Sequence, residues 1–149
     1  TGRENIYLNG SVLGLKKKEI NSLIDSIIDF ADIGDFINAP MRTYSAGMYL
    51  RLGFAIAVHV NPEILLIDEI LGVGDSKFFE KSFQRIFEFR QQKKTIIIAS
   101  HDLNSVNMLC SKVIFLKNGE IYKQGVSDEV IRCYQDLLGK NSEQKNRKN

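Results

Sequence analysis

Apolar and polar positions alternate along this chain with two different periods. From Lys17 to Ala31, the residues Ile20, Leu23, Ile24, Ile27 and Ile28 fall at i, i+3, i+4, i+7 and i+8, with Asp25 and Asp29 on the opposite face. That spacing predicts an amphipathic helix, closed by Gly34 and by the turn through Asn38-Ala39-Pro40. A second helix follows Tyr44-Ser45-Ala46-Gly47-Met48 and runs to Val60, with Ser45 as its N-cap and Asn61-Pro62 as its stop. The run Ile64 to Ile67 is short and wholly apolar, which predicts a strand covered on both faces, and it ends abruptly at Asp68-Glu69. The segment before these elements, Glu4 to Leu15, holds Gly10 and Gly14 and reads as a short helix or loop.

Beyond Leu71-Gly72-Val73-Gly74-Asp75, a helix carries Phe79, Phe83, Ile86, Phe87 and Arg90 at helical spacing. A second apolar strand, Thr95 to Ala99, stops at Ser100-His101-Asp102, and a helix from Leu103 to Cys110 follows. Val113 to Leu116 and Glu120 to Gln124 flank Lys117-Asn118-Gly119, a strong hairpin signal. A last amphipathic helix starts at Ser127, with Asp128 and Glu129 complementing its positive end, and continues to Leu138. Two strands joined by a helix form a βαβ unit, hence a parallel pair in an α/β core. The predicted organisation is a helical piece over 1–60, a core piece over 61–139 and a polar, disordered tail over 140–149.

At 149 residues the chain has room for about one domain. Its 44% hydrophobic and 26% charged content is that of a globular protein. The net charge is +2, yet residues 1–139 hold 16 Lys and Arg against 17 Asp and Glu, while residues 140–149 hold 4 against 1. The body is therefore near neutral, and no nucleic-acid partner is expected. Cys110 and Cys133 show no ligand spacing and read as two buried thiols of a reducing compartment. No apolar run approaches the length that spans a bilayer, and no leader pattern opens the chain.

The chemistry follows from the parallel pairing. Strand ends of one sense share one edge, so Asp68 and Glu69 on one strand and His101 on the other are expected to converge there. An acid at a strand end suits Mg²⁺ held through water, and a second acid suits the orientation of an attacking water. Solvated acids in a loop remain the plainer alternative for this pair. Ser45-Ala46-Gly47 opens a helix, and free amides there form an anion site, although an ordinary Ser cap has the same appearance. His59 reads as a packing or surface histidine, and Lys16-Lys17-Lys18 as a solvated helix start.

Taken together, these segments resemble the ATPases of ABC transporters. Tyr44 to Met48, followed by Arg51-Leu52-Gly53-Phe54-Ala55-Ile56-Ala57, is similar to their signature motif and helix. Ile64 to Glu69 resembles the Walker B strand, Val73-Gly74-Asp75 the D-loop and Ser100-His101-Asp102 the H-loop. With Thr1-Gly2-Arg3-Glu4-Asn5, the pattern is most similar to the subgroup exporting O-antigen, capsular polysaccharide or teichoic acid. The resemblance implies a P-loop NTPase core in part, with a helical subdomain before it and a β-hairpin and helix after it. It implies ATP and Mg²⁺ as cofactors. Asp68 would stand in the Mg²⁺ shell, Glu69 would be the general base, and His101 would sense the γ-phosphate. Tyr44, Ser45, Ala46, Gly47 and Met48 would bind the nucleotide of a second, identical subunit in a head-to-tail dimer. Asp75 would link the two sites, or serve as a plain N-cap. A transmembrane permease partner and a peripheral place on the cytoplasmic face of the membrane complete the implication.

Ala46 and Met48 depart from the widespread signature, and Met48 is usual in the subgroup. No Gly-x-x-x-x-Gly-Lys-Ser/Thr loop occurs in the chain. Together with Thr1 in first place, this leads to the expectation of a C-terminal portion of a longer ATPase. The alternative is a catalytically inert module that offers its signature face to an intact subunit. A third reading makes Asp68 the phosphoacceptor of a receiver-type domain.

Overall fold

The computed structural model describes residues 1–68 and 75–146, with side chains through residue 138. Its elements are α1 (Gly2–Val12), α2 (Lys17–Ala31), two 3-10 turns (Gly34–Asn38 and Met41–Thr43), α3 (Ala46–His59), β1 (Ile64–Asp68), α4 (Ser76–Gln91), β2 (Thr95–Ala99), α5 (Leu103–Leu109), β3 (Lys112–Lys117), β4 (Glu120–Val126) and α6 (Ser127–Asn146). They form two compact units, Thr1–Ile97 and Ile98–Asn149.

In the first unit, α1 begins earlier than the sequence pattern suggests and is a full helix. Thr1 and Glu4 make a reciprocal capping box: the Thr1 hydroxyl accepts the Glu4 amide, and the Glu4 carboxylate accepts from the Thr1 nitrogen. Helix α2 buries Ile20, Ile24, Ile27, Phe30 and Ala31 and ends at Asp32, whose left-handed backbone (φ 51°) terminates it two residues ahead of Gly34. Helix α3 buries Leu52, Phe54, Ala55, Ile56 and Val58. Phe30, Phe54 and Phe78 meet pairwise at centroid separations of 6.0–6.1 Å, and His59 lies edge-on to Phe30 at 5.4 Å. This aromatic cluster joins α2, α3 and α4. Each fully buried apolar side chain of this kind contributes about 1.5–3 kcal/mol.

Burial along α4 and β1 is more selective than their apolar patterns alone convey, and β1 departs from the expectation of cover on both faces. The buried stripe of α4 is Phe78, Ser82, Ile86 and Phe89, while Phe79 and Phe83 stack on each other at 6.0 Å and Phe87 is exposed. Five phenylalanines in one helix do not by themselves say which stripe turns inward. Strand β1 is covered on one face only: Leu65 and Ile67 are buried, while Ile64 and Leu66 are exposed. Strand β2 has no fully buried residue.

Strands β1 and β2 pair with each other. The Thr95 amide donates to the Glu63 carbonyl at 3.1 Å, joining the amino ends of both strands, so the pair is parallel as expected.

In the second unit, β3 and β4 form the predicted antiparallel hairpin, from Lys112 opposite Val126 to Lys117 opposite Glu120, with an irregularity between Phe115 and Leu116. Asn118 (φ 54°) and Gly119 (φ 83°) both take the left-handed conformation that a two-residue turn of matching twist requires. Phe115 meets Tyr122 at 5.1 Å and Tyr134 of α6 at 5.0 Å. Helix α6 runs past the predicted end at Leu138 to Asn146, because nothing after Gly139 forbids helical backbone. Cys110 and Cys133 are of intermediate exposure rather than buried.

Candidate functional site

Ser45 caps α3. Its hydroxyl accepts the Met48 amide at 3.2 Å, and its own carbonyl accepts from Tyr49. Ser45 and Ala46 are exposed, and Gly47 and Met48 partly so. A Cβ placed on Gly47 would meet only the Ser45 hydroxyl, at 3.9 Å. No internal contact therefore demands glycine there. The amino end of a 14-residue helix, with its amides and positive dipole, stands open toward solvent.

The residue before the cap is held from three sides. The Tyr44 hydroxyl donates to the Phe36 carbonyl at 2.6 Å, its ring meets Tyr49 edge-on at 6.0 Å, and Gly2 lies directly against its oxygen. Burial pushes the Tyr44 phenol up, and the Gly2 amide partly offsets this.

Asp75 is the N-cap of α4. One carboxylate oxygen accepts the Phe78 amide at 2.9 Å and the other takes Arg51 at 2.7 Å. The Phe78 amide first, and the Arg51 guanidinium after it, hold Asp75 below the usual carboxylate range. Both roles entertained for Asp75 thus start from an observed cap. Arg51 was legible only as part of a motif; its reach to Asp75, and to the Asp32 carbonyl at 3.1 Å, was not.

Asp68 closes β1 with an exposed side chain. Glu69, like Val73 and Gly74, lies outside the described residues. Among the described residues no group of three His, Cys, Asp or Glu side chains could hold a metal by itself. A single exposed carboxylate still fits Mg²⁺, which keeps water and phosphate in most of its coordination sphere and needs one or two carboxylates.

His101 is exposed on the loop before α5, in the second unit. Its neighbour Asp102 braces that loop. The Asp102 amide donates to the Ser100 hydroxyl at 3.0 Å, and its carboxylate accepts the Ser105 hydroxyl at 2.5 Å and the Asn104 amide at 3.1 Å. The Ser105 hydroxyl foremost, with the Asn104 and Ser105 amides, keeps Asp102 below its ordinary value. The Asp-x-x-Ser spacing was the signal for this brace.

His59 is half-buried. Its Nδ1 faces the Ala55 carbonyl at 2.7 Å, and burial pushes its pKa down. It is a packing histidine, as the sequence indicated.

No family model matches the chain. The fold is nevertheless that of an ATP-binding cassette. It matches the dimeric cassette MJ0796, in a post-hydrolysis state bound to ADP and phosphate, with a TM-score of 0.70 and 26% identity over 85% of this chain and 56% of that one. In sequence, it is 51% identical over 138 residues to the teichoic acids export ATP-binding protein TagH of Listeria monocytogenes serotype 4b, covering 93% of this chain and 41% of that protein. It is 44% identical over 138 residues to the O-antigen export system ATP-binding protein RfbB of Myxococcus xanthus, covering 93% of this chain and 32% of that one. The chain is a homologue of teichoic acid and O-antigen export ATP-binding proteins. It spans about two fifths, or less, of the length of these relatives.

Proposed function

We propose that this chain belongs to the ATP-hydrolysing subunit of an exporter of teichoic acid or a related surface polysaccharide. The observation that carries the reading is the open amino end of α3, where Ser45 caps the helix and Gly47 has no internal reason to be glycine. A surface so arranged suits the terminal phosphate of a nucleotide held by another subunit. Tyr44 to Met48 would then serve the second site of a head-to-tail homodimer, with Asp75 at the same interface.

Asp68 would bear on Mg²⁺, which when bound neutralises phosphate charge. Glu69 would accept a proton from the attacking water, and His101 would contact the γ-phosphate. Asp68, Glu69 and His101 serve one nucleotide on this reading, as the resemblance of their motifs implies. On this reading residues 1–60 are the helical subdomain and 61–139 the latter half of the ATPase core. The subunit works beneath a transmembrane permease on the cytoplasmic face. No helix among the described residues is long and apolar enough to cross a membrane.

Glu69→Gln in the full-length protein tests this directly: hydrolysis is lost while magnesium-dependent ATP binding persists. Loss of binding as well would remove Glu69 from the role of base. A second reading, an inert module offering its signature face, is favoured by the absence of a Gly-x-x-x-x-Gly-Lys-Ser/Thr loop from residues 1–149. Titration of this chain with Mg-ATP bears on this reading, because the inert module shows no magnesium-dependent affinity for ATP by itself.

A further inference from the structure

Arg51 stands one turn and a half into α3, with its side chain only 15% exposed. Both Nη atoms and one face of its guanidinium are engaged. One Nη donates to the Asp32 carbonyl at 3.1 Å, at the left-handed residue that ends α2. The other donates to Asp75 at 2.7 Å. The Cζ atom lies 4.9 Å above the centre of the Phe78 ring, within cation–π range. The Asp32 carboxylate stands 4.0 Å away and is also approached by Lys77 at 3.6 Å. Three elements that are distant in sequence therefore meet at one planar cation: the end of α2, the helix that begins at Ser45, and the first turn of α4.

The two oxygens of Asp75 divide the work. One satisfies the Phe78 amide and so caps α4, which Asn can also do. The other has no capping duty and is directed at Arg51. A surface ion pair of this kind is worth little when both partners are mobile. Here the arginine is largely shielded, planar and fixed by a carbonyl and a ring, so little freedom is lost when the carboxylate joins it.

We propose that Arg51 is a positioning residue that ties Asp75 to the helix starting at Ser45, so that both reach the facing subunit as a single rigid piece. The inference rests on the ATPase reading above. In itself, however, it is a statement about how two side chains are held, and it can be measured without turnover.

Its test is a double-mutant cycle in the full-length dimer, using Arg51→Met, Asp75→Asn and the pair. Each single variant lowers kcat, by up to about 100-fold for a displaced interface group, with KM for ATP unchanged. The double variant loses no more than the worse single, because one connection is cut in each case. Arg51→Lys, which keeps charge but not the fork, recovers part of the loss. Multiplicative losses would overturn the proposal and leave Arg51 as ordinary packing.

The second arm follows the Asp75 carboxyl by NMR titration. In Arg51→Met its midpoint moves up toward the usual carboxylate range and the Ala46–Met48 amide resonances shift with it. An Asp75 titration left in place also overturns the proposal. If the unaltered full-length protein hydrolyses no ATP, the ATPase reading falls, and the titration still decides the tie.

Discussion

A Cβ on Gly2 would stand 2.1 Å from the hydroxyl oxygen of Tyr44, and 3.1 Å from both the Ile37 side chain and its carbonyl. The first turn of α1 and the residue ahead of the Ser45 cap are thus in direct steric contact. Gly2→Ala forces the phenol off the Phe36 carbonyl, and backbone on the Ile37 side leaves little room to yield. Chemical denaturation should show a loss of about 1–3 kcal/mol, the usual cost of overpacking. Tyr44→Phe combined with Gly2→Ala recovers much of it, since the clashing oxygen is gone.

Gly47 and Gly53 share α3 but differ in what they predict. Neither has a neighbour that a methyl group would strike. Gly53→Ala stabilises the helix by about 0.5–1 kcal/mol and leaves ATP hydrolysis by the full-length protein unchanged. Gly47→Ala is likewise harmless to folding, yet it lowers hydrolysis because the methyl stands where a phosphate of the facing subunit would approach. Thermal melts and turnover measured on the same two variants check this; equal turnover in both would remove Gly47 from the site.

His59 gives a pH signature. Burial first, and the Arg85 and Lys81 charges further, lower its pKa from the ordinary 6.5, against the pull of the Ala55 carbonyl. The unfolded chain therefore binds the proton more readily than the folded one. Stability from this residue is complete above pH 6.5 and is lost as pH falls from there through the depressed folded value. His59→Gln should flatten that acid-side decline relative to the unaltered chain. Urea midpoints measured across the window decide the matter, and an unchanged slope would show that His59 contributes no linkage.

Adjacent leucines in β1 should respond oppositely. Leu65 is 6% exposed and Leu66 is 71% exposed. Leu65→Ala should cost about 2–5 kcal/mol, whereas Leu66→Thr should change the stability of this chain by less than about 0.5 kcal/mol. Equal losses at the two positions would mean that the outer face of β1 is covered after all.

Features that depend on neighbours in sequence were legible. The Ser45 and Asp75 caps, the Asn118-Gly119 hairpin and the α2 stripe each involve residues a few positions apart, where spacing determines geometry. The start of α1 was equally local, since Thr1 and Glu4 have capping-box spacing, but Gly10 and Gly14 obscured it. Features that depend on distant partners were not legible. An apolar run such as Ile64 to Ile67 does not say how many of its faces are covered. Nothing in the spacing of Arg51 points to Asp32 and Asp75, which lie 19 and 24 positions away. The candidate site was readable as motifs, whereas the bracing of those motifs needed coordinates.

The amino edge of the parallel pair has a consequence of its own. Lys94 donates to the Asn61 side chain, to the Asn61 carbonyl at 3.0 Å and to the Pro62 carbonyl at 2.9 Å, while its ammonium lies 5.0 Å above Phe89. One residue later, Thr95 makes the first rung with Glu63. Slippage by one residue would turn Leu65 and Ile67 outward, and this rivet forbids it at the start of both strands. Alignment is thereby settled at the border remote from Asp68. The carboxyl end of β1, where Asp68 stands, is spared that duty.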